Sequence, residues 1–182
     1  FHKNYKITKK EIIIWSRIIA KIPNSIIWLS DLNNDAKSNL ISCFSNQGIN
    51  FERIYFAKRT DYIEDHLARH LCADLFLDTF NYNAQSTAID CLWSGLPLVT
   101  LLGKSFCARV SASLLSTLNL SELIAKDFNH YEKIVVNLSQ DYKTLESIKY
   151  KLIKSRNDNC LFNSEQTTKD LEDIFLRLAK DL

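Results

Sequence analysis

The sequence predicts an α/β fold in which a Rossmann-like parallel sheet carries helices on both faces. Segments with helical periodicity alternate with short apolar segments along most of the chain, and this alternation is typical of βαβ units. Crossover helices of this kind join parallel strands, because they return the chain to the same end of the sheet. The last part of the chain is predicted to be only helical, with more helices than one sheet needs.

The first helix and the first strand are predicted from periodicity and punctuation. Isoleucines and Trp15 recur on one face of the segment Lys9–Ile22, and Thr8 is suited to cap this helix. Pro23-Asn24 ends the helix, and the apolar segment Ser25–Leu29 follows as a strand.

The remaining elements follow in order from the same signals. Gly48 closes the second helix, Gly95-Leu96-Pro97 separates the fourth helix from the next strand, and Gly103 precedes the fifth helix. The further strands are predicted at Arg53–Ala57, Leu75–Thr79, Leu98–Leu101 and Leu123–Ala125. The further helices are predicted at Asp35–Gln47, Asp61–Cys72, Ala84–Ser94, Ser105–Leu118, Tyr131–Ser139, Tyr142–Arg156 and Glu165–Lys180.

Composition excludes several classes of function. The net charge of +2 over 182 residues does not indicate nucleic-acid binding, which usually requires a basic patch and a high pI. Five widely spaced cysteines predict neither a disulfide framework nor a zinc site. No apolar run approaches the roughly 18 residues of a membrane span, and no signal-peptide pattern is present. We therefore expect a cytosolic protein that contacts neither nucleic acid nor membrane.

The sequence carries no motif for a dinucleotide cofactor or a metal. The chain has three scattered glycines and no Gly-x-Gly-x-x-Gly loop, so the usual dinucleotide-binding motif is missing. No cluster of His, Asp or Glu has metal-ligand spacing. We expect neither a dinucleotide cofactor nor a metal.

The segment Leu75–Pro97 is the most informative part of the chain. It predicts a buried strand, a polar loop and a helix, an arrangement that aims unpaired N–H groups and the positive end of the helix dipole at an anion such as a phosphate. Gln85, Ser86 and Thr87 add polar side chains there, and Asp90 lies about one turn further along, where it can accept from ribose hydroxyls. An ordinary helix capped by Ser86 or Thr87 explains the same residues.

Two further groups are candidates from residue type and spacing. His66 and Arg69 lie three residues apart on a predicted helix and hence on one face. A planar imidazole and a forked guanidinium can stack on or bond a nucleoside, although a surface or core role explains them as well. His70 is interpreted as structural.

Three other residues stay open or are interpreted as structural. Lys6 without further context is a surface lysine beside a loop. Asp78 ends a predicted strand, where it either functions directly or bonds the amides of the following loop. Arg109 stands in an otherwise apolar helix and is interpreted as a structural residue that an acid such as Asp78 can pair. The three tryptophans, including Trp93, are predicted to be core anchors.

Five stretches in order resemble one enzyme family. Tyr82–Asp90, followed by Leu92–Pro97, is similar to the Tyr-Asn-Ala-His-Thr-Thr signature and its Leu-Trp-x-Gly-x-Pro continuation in the O-linked N-acetylglucosamine transferase and SPINDLY family. The other four stretches are Phe1–Ile7, Glu64–Asp78, Gly103–Ser113 and Leu161–Asn163.

This resemblance implies the C-terminal, nucleotide-sugar-binding lobe of a two-lobed GT-B type glycosyltransferase over residues 1–182. The N-terminal catalytic lobe and the helical repeats that dock protein acceptors would then lie outside this chain. The missing initiator Met and Phe1, which precedes a loop as though a strand ended there, lead us to expect a fragment of a longer protein. In the family, the last helix packs back onto the partner lobe.

The resemblance also implies a role for each candidate. Lys6 matches the lysine that stabilises the leaving diphosphate and is the expected catalytic residue. Lys3, where the family often has Asn or Gln, either adds a second cation near the phosphates or is only solvated. The expected donor-binding residues are His66 and Arg69 at the nucleoside, Asp90 at the ribose, and Lys3, Gln85, Ser86 and Thr87 at the diphosphate.

Gln85 departs from the family, which has His at this position. Glutamine donates a hydrogen bond to a phosphate or sugar oxygen, but it carries no proton or charge near neutrality. We therefore expect binding to survive while the rate or sugar preference changes.

The expected function is inverting, metal-independent transfer of N-acetylglucosamine, or of fucose as in SPINDLY proteins, from a nucleotide sugar to Ser or Thr of cytosolic proteins. UDP-N-acetylglucosamine is the expected donor. Two alternatives stay open: the same fold with a different donor and a small-molecule acceptor, and a degenerate, non-catalytic interaction module. We expect this chain alone to bind the nucleotide weakly and to transfer nothing.

Overall fold

A computed structural model describes residues 2–180 of the chain. The described strands are β1 Ile27–Ser30, β2 Ile54–Ala57, β3 Phe76–Leu77, β4 Leu98–Leu101 and β5 Ile124–Ala125. The described α-helices are α1 Lys9–Lys21, α2 Asn34–Ser45, α3 Ile63–Ala68, α4 Ser86–Trp93, α5 Val110–Thr117, α6 Phe128–Gln140, α7 Tyr142–Asp158 and α8 Ser164–Lys180. Short 3₁₀ turns lie at Asn4–Lys6, Phe51–Arg53, Arg69–Cys72, Phe106–Ala108, Ser121–Leu123 and Cys160–Phe162.

All described strand pairings are parallel, which confirms the predicted α/β class. Strand β1 pairs with β2, with Ile27 opposite Ile54. Strands β3, β4 and β5 form a second sheet in that order. Both faces of the second sheet are covered, because Leu98, Val99 and Thr100 are all buried and successive side chains of a strand point to opposite faces.

The two sheets are separated by a cavity of about 480 Å³. Side chains of α1 and β1 line one side of it, among them Trp15, and residues around β3 line the other. His2 lies at the carboxyl end of this gap. Its Nε2 donates to the carbonyl oxygen of Leu77 (2.9 Å), and the Ser30 hydroxyl donates to the carbonyl oxygen of His2 (2.7 Å). The predicted single sheet is therefore two hydrogen-bonded sheets joined at one end by His2.

Helix α1 begins with a capping box. The Thr8 side chain accepts from the backbone N–H of Lys10, and Glu11 accepts from the backbone N–H of Thr8. Its inner face, with Trp15 and Ile18 almost fully buried, packs against α6. The helix ends at Lys21, one residue before the predicted boundary.

Three predicted helices are shorter or divided. The segment predicted as one helix over Asp61–Cys72 consists of α3 and the 3₁₀ turn at Arg69–Cys72. Helix α4 begins at Ser86, because Gln85 has φ −118° and ψ −96°, outside the helical region. Helix α5 begins at Val110 after a separate 3₁₀ turn.

The closing helix α8 has no buried residue over its described length. Leu171, Ile174, Phe175 and Leu178 are exposed, and their spacing places them along one face of the helix. Over residues 2–180, no helix combines the length and apolarity that crossing a membrane requires.

Candidate functional site

The candidate site lies where β3 ends and α4 begins. Strand β3 is followed by Asp78 and by a loop over residues 79–85, which we call the β3–α4 loop. This loop ends at the N-terminus of α4, at the carboxyl edge of the sheet, where ligands of open α/β sheets bind. The local sequence explains this geometry. Polar loop residues follow the apolar strand, so the next helix begins only at Ser86.

The first turn of α4 presents backbone amides toward solvent. Gln85 occupies the N-cap position without a side-chain capping bond, and the first intrahelical acceptor is its carbonyl oxygen, which accepts from Ala88 and Ile89. Within the described part of the chain, the amides of Ser86 and Thr87 bond no acceptor. The ordinary capped helix, with Ser86 or Thr87 as the cap, is therefore wrong. The arrangement leaves N–H donors at the positive end of the helix dipole.

Lys6 reaches this loop from the beginning of the chain. Its ammonium donates to the carbonyl oxygen of Asn83 (2.9 Å) and lies 4.1 Å from the centroid of the Tyr82 ring. Burial lowers the pKa of Lys6, while the nearby Asp78 carboxylate acts in the opposite direction. The fold thus places a cation beside the start of α4, 80 residues or more along the chain from its own position.

His66 and Asp90 come together in the fold. Nε2 of His66 lies 3.4 Å from Oδ2 of Asp90, and both side chains are partly exposed. Burial, followed by the charge of Arg69, lowers the pKa of His66 against the opposing effect of Asp90. Arg69 donates to Nδ1 of His66 and to the carbonyl oxygen of Lys58 (3.0 Å). These bonds fit a neutral imidazole whose Nε2–H points at Asp90.

Two other predicted residues make no polar contact at the site. Lys3 is exposed, and its ammonium forms no ion pair or hydrogen bond within residues 2–180. Gln85 is half-buried, and no side-chain hydrogen bond joins it to the described residues. His70, interpreted as structural, is buried, and its Nδ1 lies 2.8 Å from the His66 carbonyl oxygen.

Asp78 bonds loop amides, one of the two roles left open for it. The carboxylate is fully buried, and its acceptors are used by Thr79, Ala84 and Thr100. Burial raises the pKa of Asp78 to about 6. The suggested Asp78–Arg109 pair is wrong, because Arg109 is exposed and these other groups bond the carboxylate.

The residues that flank Asp90 are only partly buried. Cys91 and Leu92 are fully buried, whereas Ile89 and Trp93 are 40% and 38% exposed. Trp93 is therefore not a core anchor. Its ring stands at 74° to Phe162, and the Arg156 guanidinium carbon lies 5.4 Å from its centroid.

Sequence reasoning missed Glu11. This carboxylate is fully buried and accepts from the backbone N–H of Phe80 in the β3–α4 loop (2.8 Å). The Thr-x-x-Glu spacing from Thr8 was a signal for a capping box. It gave no sign of the bond to a loop 69 residues away.

Metal ligands are not grouped in the described structure. Among residues 2–180, no three or more His, Cys, Asp or Glu side chains lie together in a way that suits a metal ion.

Comparison with known proteins points to one family. The model of glycosyl transferase family 41 matches residues 1–171. A Caenorhabditis elegans protein named UDP-N-acetylglucosamine–peptide N-acetylglucosaminyltransferase is 32% identical over 180 residues, covering 99% of this chain and 16% of that protein. A probable enzyme of that name from Arabidopsis thaliana, SEC, is 28% identical over 181 residues, covering 98% of this chain and 18% of that protein.

A further relative and a solved structure are similar to this chain. A probable SPINDLY protein of Petunia hybrida is 27% identical over 178 residues, covering 96% of this chain and 19% of that protein. A mutant of Thermobaculum terrenum O-GlcNAc transferase superimposes with a TM-score of 0.90 at 26% identity, covering 100% of this chain and 35% of that one. The chain thus spans less than a fifth of the length of these curated relatives.

Proposed function

The chain belongs to glycosyl transferase family 41, and we propose that residues 1–182 are the nucleotide-sugar-binding lobe of an inverting protein glycosyltransferase. The observation that carries the proposal is the placement of Lys6. Its ammonium lies against the β3–α4 loop, next to the uncapped start of α4.

A diphosphate fits the chemistry at the start of α4. The amides of Ser86 and Thr87, together with the helix dipole, favour a negative group there. Transfer breaks the bond between the anomeric carbon of the sugar and a phosphate oxygen, so negative charge develops on the departing diphosphate. We propose that Lys6 and these amides stabilise that charge, which lowers the barrier.

A nucleoside fits one turn further along. Asp90 can accept from the ribose hydroxyls, and His66 lies close enough to hold the same ligand from a neighbouring element. Arg69 bonds Nδ1 of His66, which fixes the imidazole with Nε2–H toward the ligand side. In this proposal Asp90 binds the ribose and His66 binds the base. Arg69 orients the His66 ring.

Gln85 and Lys3 have secondary roles in this proposal. The Gln85 amide can donate to a phosphate or sugar oxygen, but it cannot supply a proton as histidine does. Lys3 is exposed and can add positive potential near the diphosphate.

The substrates are proposed from the names of the relatives. The Caenorhabditis elegans relative is named for transfer from UDP-N-acetylglucosamine to peptide. We propose the same donor and Ser or Thr of cytosolic proteins as acceptors, with fucose as the second candidate sugar. The transfer is proposed to be metal-independent, with Lys6 and the α4 amides in the place of a divalent cation.

Further parts of the enzyme are proposed to lie outside this chain. The exposed apolar face of α8 suits contact with a partner lobe, since such a face is usually buried. Upstream helical repeats would dock the acceptor.

Calorimetric titration of the chain with UDP and GDP tests the proposal. We expect UDP binding that is weakened at least about tenfold by Lys6→Ala and by Asp90→Ala. Lys10→Ala is the matched control, because Lys10 is exposed on α1 and lies over Phe128 instead of the loop.

The possible outcomes separate the alternatives. Binding of GDP in preference to UDP would move the proposal to a different donor, such as a fucose donor. A folded chain that binds neither nucleotide would contradict the proposal and favour the degenerate interaction module, for which the loss of the signature histidine at Gln85 is the main argument.

A further inference from the structure

We propose that Glu11 and Asp78 are positioning residues that together hold the β3–α4 loop in the conformation that presents Asn83 to Lys6. The inference rests on the proposed function, because positioning Lys6 matters only if Lys6 acts on a donor. Neither carboxylate touches the donor in this proposal. Each acts through backbone amides of the loop.

Asp78 ties the two ends of the loop together. Its Oδ1 accepts from the amide of Thr79 (2.9 Å) and from the amide of Ala84 (2.7 Å). Its Oδ2 accepts from the Thr100 hydroxyl on β4 (2.7 Å). One buried carboxylate thus closes the loop at its base and anchors it to the neighbouring strand.

Glu11 ties the middle of the loop to the segment that carries Lys6. Its Oε1 accepts from the amide of Phe80 (2.8 Å). Its Oε2 accepts from the amide of Thr8 (2.8 Å) and from the Thr8 hydroxyl. Since Thr8 follows Lys6 by two residues, this carboxylate couples the backbone near Lys6 to the loop.

The contacts close into a ring. Lys6 donates to the carbonyl oxygen of Asn83 (2.9 Å), and the Asn83 amide group donates to the carbonyl oxygen of Thr79 (2.7 Å). Thr79 is adjacent to Phe80, which bonds Glu11, and Glu11 returns to Thr8. A displacement of the loop therefore moves the partner of Lys6 directly.

The burial of both carboxylates supports a geometric role. Both are fully buried, and burying a carboxylate is costly unless donors satisfy it. An apolar side chain of similar size would fill the same space without this cost. Each carboxylate accepts three hydrogen bonds. Those from the amides of Thr79, Phe80 and Ala84 fix the position of the loop.

Variants at Glu11 separate positioning from packing. Glu11→Gln keeps an oxygen for the Phe80 amide but loses the acceptor for the Thr8 amide, whereas Glu11→Met keeps the volume and removes both acceptors. Glu11→Asp keeps the charge but is one methylene shorter, so it withdraws from Phe80. Glu132→Met is the control, because Glu132 is an equally buried acid that pairs with Arg17 and Lys21 on the outer side of α1.

Asp78→Asn provides an independent test. The asparagine oxygen can accept from both Thr79 and Ala84, and its amide can donate to the Thr100 hydroxyl. This variant keeps the loop bonds and removes the charge, so a loss of kcat in Asp78→Asn would assign the role of Asp78 to its charge and would contradict positioning by hydrogen bonds.

The measurement is kcat and KM for the donor in the full-length protein, with thermal unfolding of each variant. We expect Glu11→Met and Glu11→Asp to lower kcat at least about tenfold with a smaller change in KM, because the loss is in transition-state stabilisation. We expect Glu11→Gln to lower kcat less than Glu11→Met and Glu11→Asp do, because it keeps the bond to Phe80 and loses only the acceptor for the Thr8 amide. Glu132→Met should lower Tm and leave kcat and KM unchanged.

Two results would overturn the inference in different ways. If the wild-type protein transfers sugar and both Glu11→Met and Glu11→Asp lower Tm without lowering kcat, the carboxylate only stabilises the fold. If the wild-type protein neither binds UDP nor transfers sugar, the proposed function fails and the positioning role fails with it. Should Glu11→Met not fold, the comparison of Glu11→Asp with Glu11→Gln decides.

Discussion

The ammonium of Lys6 donates to the carbonyl oxygen of Asn83 at 2.9 Å, although 77 residues separate the two positions in the sequence. This bond joins the 3₁₀ turn at the beginning of the chain to the loop before α4. It brings the cation of the proposed site to the loop that ends at the proposed diphosphate site. The proposed site therefore depends on the contact between two segments that are remote in sequence.

Removal of the Lys6 ammonium should affect turnover more than folding. In the full-length protein we expect Lys6→Met to lower kcat by about 10²–10³-fold, the range for loss of one donor that stabilises developing negative charge. The free energy of unfolding should change little, because the lysine is partly exposed. Steady-state kinetics with UDP-N-acetylglucosamine, together with thermal unfolding, test this. Unchanged kcat would remove Lys6 from the mechanism.

His66 and Asp90 should be coupled in nucleotide binding. We expect His66→Ala and Asp90→Ala each to weaken UDP binding at least about tenfold, and the double variant to lose less than the sum of the two free-energy changes. The reason is that both side chains hold one ligand and lie 3.4 Å apart. A double-mutant cycle by calorimetry measures this coupling, and strictly additive losses would contradict a shared site.

Replacement of Gln85 by histidine should change the pH dependence of turnover. Gln85→His introduces a titratable group at the start of α4, and its ordinary pKa near 6.5 lies within the assay range. We expect an added inflection in the profile of kcat against pH for the full-length protein. Gln85→Asn is the control, since it offers an amide without titration. Identical profiles for all three proteins would show that position 85 does not contact the reacting groups.

Stability should increase from about pH 4 to pH 6.5. Burial lowers the pKa of His70 to about 4 and that of His2 to about 3. Between those values and the ordinary value of 6.5, the unfolded chain binds more protons than the folded chain, so the free energy of unfolding rises with pH. For His70 the effect is of the order of 2–3 kcal/mol over this range.

The titration of Asp78 should lower the free energy of unfolding as pH rises, opposite to the effect of the two histidines. Because burial raises its pKa to about 6, the folded chain binds more protons than the unfolded chain between about pH 4 and 6, and this contribution to stability falls as pH rises. Chemical denaturation from pH 4 to 7.5 should show a shallower rise for His70→Gln and a steeper one for Asp78→Asn. Equal slopes for both variants and wild type would contradict these assignments.

The sequence predicted secondary structure well where the residues of one segment are sufficient to define it. The periodicity of α1 and its cap at Thr8 predicted the helix to within one residue at its end. All five strands were placed correctly, since each is a short apolar run between turn residues. Boundaries failed where backbone geometry interrupts a helical pattern, as at Arg69–Cys72 and before Val110. A 3₁₀ turn that adjoins an α-helix, on either side, gives no separate signal in the sequence.

The sequence alone determined the family, the α/β class and the residue types of the site. These properties reside in ordered motifs such as Tyr82–Asp90 and in hydrophobic patterns, which a single stretch of chain carries. Only the tertiary structure decided that Asp78 bonds the loop amides and not Arg109, and that Glu11 bonds the Phe80 amide. It also decided that the described strands form two sheets, with His2 between them. The physical reason is that hydrogen bonds of buried carboxylates depend on which amides the fold brings within about 3 Å, and no local pattern encodes that distance.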